Sequence, residues 1–406
     1  MDHRQIGRQL DLFDSDPLIG AGLPFWLPDG AAARHEVESY LYDLERRHGY
    51  RHVYSPAMGK REMYEISGHW RNFSDDMFPP MRLGGDELVL RPSLCPHHAL
   101  IFKARQRSYR DLPLRIAELG QMYRAERSGV LGGLSRVRSI QLNDAHIFCA
   151  LDQVGGEVAG VLRLMAEAHE ALGLRPSAFR LSLRGEGGKY GGDDAMWSPA
   201  EQLLREALAG YDYAEAPGEA AFYGPKIDMQ IVDPAGREQS LATIQVDFLM
   251  PGRFGLSFAG PAGPQRPVMV HRSLAGSMER LFGHLIEVHG GAFPVWYAPV
   301  QLDVLPVGAE DVSSFASAAI EAGLRVEVHH DGSLGARIRA AAERKIPYVG
   351  VIGAREAADG LVALRLRDGR QLDPMPAAEA IALVAAVASA RSGDLLQAGA
   401  AVRARP

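Results

Sequence analysis

The stretch IAELGQMYRAERSGVLGGLSRVRSIQLNDAHIFC (residues 116–149) decides how the rest of the chain is read. Two runs of apolar, β-branched and aromatic residues flank a loop, RSGVLGG, whose glycines permit a reversal, so the segment reads as an antiparallel hairpin. Successive strand side chains point to opposite faces. Ile140, Leu142, Asp144, His146 and Phe148 therefore share one face of the second strand, and Met122, Arg124 and Glu126 share a face of the first. If the two faces coincide, one surface carries a guanidinium, two carboxylates and an imidazole among apolar side chains. Taken singly each is ordinary, because a cross-strand Arg–Glu pair is commonly a solvated contact and a lone strand histidine is more often structural than a ligand.

Outward from the hairpin, AAARHEVESYLYDLERRHGY and HHALIFKARQRSYR carry apolar residues at helical spacing. Helices interspersed with hairpin-linked strands predict an antiparallel sheet flanked by helices over residues 1–297. In SLAGSMERLFGHLIEVHG, Leu274, Met278, Leu281 and Leu285 form one helical stripe and Arg280 lies off it. The sharpest break is GGAFPVWYAPVQLDVLPVG, which places a boundary near Ala298. Strand and helix patterns alternate beyond it, predicting an α/β unit with a largely parallel sheet over 298–392, followed by a flexible tail, 393–406.

At 406 residues, 47% of them hydrophobic, the chain is long enough for two domains with sizeable cores. A net charge of −6 means that any nucleic-acid contact must come from a local basic patch. Two cysteines, Cys95 and Cys149, make a disulfide framework improbable and point to a reducing, cytoplasmic setting. The N-terminus lacks an apolar signal core and no run of about 18 apolar residues occurs, so no membrane partner is expected.

The hairpin resembles motif 2 of the class II aminoacyl-tRNA synthetases, VMVHRSLAGSMERLFG resembles motif 3, and GYRHVYSPAM resembles motif 1. More specifically, HRQIGRQLDLF, ISGHW, SYRDLPLRIAELG, EAAFYGPKIDMQ, IQVDF and ERKIPYVGVIG follow the order and spacing of the threonyl-tRNA synthetase family, over residues 3 to about 390. The resemblance implies an α+β catalytic domain built on the class II antiparallel sheet, then an α/β anticodon-binding domain. It also implies a threonine–tRNA ligase acting on threonine, ATP with Mg2+, and threonine tRNA, as a homodimer joined around Pro56, with no role for DNA.

The same resemblance assigns a catalytic-site zinc to Cys95, His146 and His271. Their separations of 51 and 125 residues match no local zinc pattern. Three protein ligands leave a fourth position open, for the amino group and β-hydroxyl of threonine, with Asp144 accepting a hydrogen bond from that hydroxyl. Such a site rejects valine strongly, whereas serine keeps the hydroxyl and enters. The chain begins where the family's catalytic domain begins, so no cis editing is expected and serine should be transferred to tRNA.

By the same carry-over Arg124 holds the α-phosphate and Arg280 the γ-phosphate, Glu126 fixes the adenine or the ATP geometry, and Tyr223, Lys226 and Gln245 line the substrate pocket. Glu356, Arg365 and Asp331 match positions that contact anticodon bases. Asp331 stands where the family has Asn and can accept but not donate.

Departures from the family pattern cluster. Ile140 replaces an aromatic that stacks on adenine and Leu142 replaces a glutamine, while Ser93, Leu94 and His97 alter the run beside Cys95. Three readings accommodate them: a plain synthetase with compensating drift, an inhibitor-resistant duplicate, and a specialised paralogue that activates threonine or another β-hydroxy amino acid for a non-tRNA acceptor. A non-catalytic tRNA-binding paralogue is disfavoured by the retained arginines and zinc-ligand residues.

Overall fold

The computed structural model describes residues 2–187, 190–192, 194–397 and 404–405. Its larger unit is built on an eight-stranded sheet. The strands are β1 (Arg51–His52), β2 (Leu114–Tyr123), β3 (Ser139–Cys149), β4 (Ala178–Leu183), β5 (Tyr213–Pro217), β6 (Lys226–Val232), β7 (Glu238–Asp247) and β8 (Val268–Ser273). They lie in the order β5-β4-β6-β7-β8-β3-β2-β1. Pairing is antiparallel throughout except at the two edges, where β5 runs parallel to β4 and β1 to β2.

Alternation along β3 sets what each face meets. Ala145, Ile147 and Cys149 join a core with Val37, Leu41 and Leu44 of helix α1 (Pro28–Arg47) and Val158, Leu162 and Met165 of helix α3 (Val154–Leu172). Phe148 points the other way and stacks on Phe102 of helix α2 (Cys95–Lys103), ring centroids 4.6 Å apart. Asp144 and His146 share the face of Phe148 at the point where that second core stops. Burying Phe148 on one face of the strand and Ile147 on the other stabilises it by a few kcal/mol.

Three local departures from the sequence expectation have physical causes. β2 ends at Tyr123, so Arg124 and Glu126 lie past the strand. Arg124 N–H still donates to Arg138 O (2.9 Å), but Ala125 N–H turns away to Asp76 O (2.8 Å). The helix expected over residues 97–110 begins earlier, at Cys95, and stops at Lys103, whose ammonium binds Phe254 O at 2.8 Å; the polar run after it offers no apolar face to bury. Leu274 is outside helix α4 (Met278–His289), which starts after the Ser277 N-cap. The turn between contains Gly276 at φ +65, where an added Cβ would lie 2.5 Å from Leu241 O.

The second unit has parallel strands β9 (Leu302–Pro306), β10 (Val326–Val328) and β11 (Tyr348–Ile352), then β12 (Leu361–Leu366) and β13 (Gln371–Leu372) antiparallel. The sheet is thus parallel only in its first half. Helix α7 (Ala354–Asp359), between β11 and β12, has six residues, too few for the crossover that a parallel return requires. Helices α5 (Ser313–Glu321) and α8 (Ala377–Ala390) cover one face, and α6 (Leu334–Glu343) part of the other. Of the expected tail, 398–403 and 406 lie outside the described residues, and Ala404–Arg405 pair with β13.

Arginines of the second unit clamp it to the first. Arg325 bridges Glu36 (2.8 Å), Arg344 bridges Asp29 (3.0 Å), and Arg391 lies over the Tyr40 ring (4.7 Å). No described helix is long and apolar enough to cross a membrane.

Candidate active site

Strand register brings distant residues into one row. Lys226 pairs with Gln245, Gln245 with His271, His271 with His146, and His146 with Ile116. Neighbours in such a row point to the same face, so three residues expected in the substrate pocket or as ligands flank His146 although they come from β6, β7 and β8. Cys95 reaches the row from the first position of α2.

Cys95, His146 and His271 are all buried and offer ligand atoms within 4.8 Å of one another. Cys95 Sγ lies 3.3 Å from His271 Nδ1, and His146 Nε2 lies 3.0 Å from the same nitrogen. His271 Nε2 is 3.0 Å from Asp247 Oδ2. A carboxylate accepts that N–H, which leaves Nδ1 as a lone pair aimed at the other two donors. Burial raises the Cys95 thiol well above its ordinary pKa and drops that of His146 well below. Electron-pair donors crowded this closely in a dry site repel one another unless a cation sits between them, and the two-nitrogen, one-sulfur set suits zinc. The residues therefore fit the metal that the resemblance implies.

Asp144 lies on the same face, its Oδ2 3.9 Å from His146 Nε2, and burial pushes its carboxyl up to about 7. A carboxylate so placed gains from any donor or positive charge brought beside it. The Tyr223 ring stacks on His271 at 4.9 Å, and its hydroxyl hydrogen-bonds Gln245. Gly224 makes that stacking possible: a Cβ there would sit 1.7 Å from Val246 O. Lys226 is occupied by Asp228 at 2.6 Å.

Cys95, Asp144, Tyr223, Gln245 and His271 open onto a cavity of about 390 Å³ that Arg124 and Arg280 also line. Among the described residues neither guanidinium pairs with a carboxylate; Arg280 reaches only the carbonyls of Ser135 (3.4 Å) and Ser240 (3.3 Å). Partial desolvation in the cavity lowers the pKa of both, and Arg124 lowers that of Arg280 further. Two cations this close, with no carboxylate in ion-pair contact among the described residues, favour an anion between them. Met122, Ile140 and Leu142 supply an aliphatic wall. Glu126 is engaged with Arg136 at 2.9 Å.

The three residues expected to meet an anticodon lie apart from this cavity. Asp331 and Glu356 follow the C-terminal ends of β10 and β11, and Glu356 Oε2 accepts the Gly353 N–H (3.1 Å) in an N-terminal cap of α7. Arg365 sits on β12 opposite Val349, near the other end of β11, on the partly exposed strand face with Ala363.

Sequence reasoning missed Asp247, His98 and Glu118. Asp247 stands two residues beyond Gln245 and so shares its strand face, and His98 stands one helical turn beyond Cys95. Both spacings were visible. Glu118 opposes Asp144 across β2 and β3, which only the register discloses.

Residues 80–289 match the tRNA synthetase class II core domain (G, H, P, S and T), and residues 301–386 an anticodon binding domain. The chain is 46% identical over 394 residues to a threonine–tRNA ligase of Geobacillus kaustophilus, covering 95% of this chain and 60% of the relative. It is 48% identical over 374 residues to threonine–tRNA ligase 1 of Bacillus subtilis, with 90% and 58% covered. It thus spans about 60% of the length of the curated relatives it matches. A crystal structure described as the RNA binding domain of threonyl-tRNA synthetase from Cryptosporidium parvum superposes with a TM-score of 0.91 at 33% identity, covering 97% of this chain and 99% of that one.

Proposed function

The chain belongs to the threonyl-tRNA synthetase family of class II tRNA synthetases, and from that premise we propose that it activates threonine with ATP and transfers it to threonine tRNA. The observation that carries this reading is the shared cavity: it is lined by Cys95 and His271 of the Cys95–His146–His271 donor cluster and by two arginines that, among the described residues, form no ion pair with a carboxylate. That layout suits a substrate with an amine and hydroxyl beside a carboxylate that must meet a phosphate.

Zinc held by Cys95, His146 and His271 would supply Lewis-acid recognition of the amino group and β-hydroxyl. Asp144 accepts the hydroxyl proton in a hydrogen bond, and Tyr223 and Gln245 close the pocket around the side chain, with Lys226 at its rim. Arg124 holds the α-phosphate and Arg280 the γ-phosphate of Mg-bound ATP, with Glu126 steadying the nucleotide end. The threonine carboxylate attacks the α-phosphorus in line and pyrophosphate leaves; the guanidinium groups stabilise the charge that develops, so no side chain acts as nucleophile. Residues 1–297 form the catalytic domain. Residues 298–392 read the anticodon through Glu356, Arg365 and Asp331; the partial exposure of Arg365 on β12 supports its role as a donor to bases or phosphates. The functional unit is a cytoplasmic homodimer joined around Pro56.

The test is ATP–pyrophosphate exchange with threonine and charging of threonine tRNA with radiolabelled threonine, each with and without a zinc chelator. Chelator-sensitive exchange and charging is the expected result. Exchange without charging would favour a non-tRNA acceptor, which the aliphatic wall at Ile140 and Leu142 keeps in view. A folded, zinc-loaded protein that does neither would sink the ligase reading.

A further inference from the structure

The hydrogen bonds behind His146 run deeper than a ligand requires for mere burial. Its Nδ1 lies 2.7 Å from His98 Nδ1, His98 Nε2 lies 3.1 Å from Glu118 Oε2, and Arg91 Nη2 lies 3.0 Å from Glu118 Oε1. Ser55 gives Glu118 its N–H (3.2 Å) and its hydroxyl (2.6 Å). All four of Arg91, His98, Glu118 and His146 are buried.

We propose that His98, oriented by Glu118, is a positioning residue that fixes the tautomer of His146 so that its Nε2 lone pair faces Cys95 and His271. Counting protons along the row gives the assignment that keeps the 2.7 Å contact between His98 Nδ1 and His146 Nδ1 a hydrogen bond. Glu118, neutralised by Arg91, only accepts, so His98 carries its hydrogen on Nε2. With one Arg91 cation already balancing one Glu118 anion, His98 is neutral and its Nδ1 is an acceptor. His146 must then donate from Nδ1, and its Nε2 is left as the lone pair 3.0 Å from His271 Nδ1. The rings meet nearly edge-on, 89° between His98 and His146 and 79° between His146 and His271. The opposite tautomer would place a hydrogen where a ligand atom is needed. Asp247 performs the same service for His271 directly; on the His146 side the carboxylate acts through an intervening imidazole.

The inference rests on the metal reading above. Its first test needs neither metal nor activity: 15N spectra of the metal-free full chain labelled at histidine, with the His98 and His146 signals assigned by substitution. The expected result is Nδ1–H for His146 and Nε2–H for His98; an Nε2–H tautomer at His146 overturns the proposal. The second is zinc affinity by chelator competition. Glu118→Gln presents an amide donor to His98, which reverses the relay, and should weaken zinc binding about 10- to 100-fold. His98→Phe should do the same, while His98→Asn, whose Oδ1 can replace the Nδ1 acceptor, should recover most of the affinity. Wild-type affinity in folded Glu118→Gln and His98→Phe overturns the relay alone. Wild-type protein that binds no zinc overturns the metal reading instead, and the tautomer spectra then still judge the relay.

Discussion

The two ends of the cavity are held in opposite ways. At the cluster end each imidazole has its outward nitrogen engaged, His271 by Asp247 and His146 by His98, so the inward atoms are fixed before any ligand arrives. Elsewhere in the cavity Arg124 and Arg280 have, among the described residues, no carboxylate in ion-pair contact to hold them, and Met122, Ile140 and Leu142 add an aliphatic wall. The first end is pre-organised for one geometry; the second is a charge imbalance that a ligand completes. The contrast teaches where substitution should be tolerated, since a fixed cluster fails when one atom is lost and a loose cationic end loses affinity by degrees.

The largest effect should come from breaking the fixed end. Cys95→Ala is expected to abolish zinc retention after dialysis and to reduce threonine activation to the limit of detection; stoichiometric zinc in the folded variant, measured by plasma mass spectrometry, would deny the cluster its role. Next, Arg280→Ala should lower kcat for pyrophosphate exchange by about 10²- to 10³-fold, the usual loss when one preorganised charge partner of a transition state is removed. An unchanged kcat would mean that this arginine is the solvated helix residue its position off the apolar stripe suggests. Asp144→Asn comes third: losing a charge-assisted acceptor of about 1.5–3 kcal/mol should shrink the ratio of kcat/KM for threonine over valine by about 10- to 100-fold. A ratio that stays at the wild-type value would remove Asp144 from hydroxyl recognition. The smallest change is at the loose end, where Ile140→Phe should lower the KM for ATP by about 2- to 10-fold through a stacked ring worth roughly 0.5–1.5 kcal/mol. A rise in KM would show that the aliphatic wall is fitted to something else.

Much of the cavity could be read in advance, and the reasons differ by residue. Asp144, His146 and Phe148 share a face because the strand period is two, a local rule that needs only the sequence. Arg124 and Glu126 escaped that rule, since Asp76, from a turn nearly fifty residues earlier in the chain, captures Ala125 N–H and bends the chain out of the strand. Cys95 and His271 could be named only through the resemblance, because no spacing of 51 or 125 residues signals a ligand set. The half-parallel second sheet was missed because the pattern shows a helix between β11 and β12 without showing that its length forbids a parallel crossover.

By itself the sequence determined the period of each element, the two-unit layout written in its Gly and Pro punctuation, and the chemical types available for a site. Those follow from interactions between near neighbours. The row Lys226–Gln245–His271–His146, the proton order behind His146 and the lack, among the described residues, of ion pairs to Arg124 and Arg280 were decided by register and packing alone. The physical reason is that a lone pair's direction and a cation's partner depend on atoms within about 3 Å, and in this sheet those atoms come from strands as far apart in the chain as those of His146 and His271.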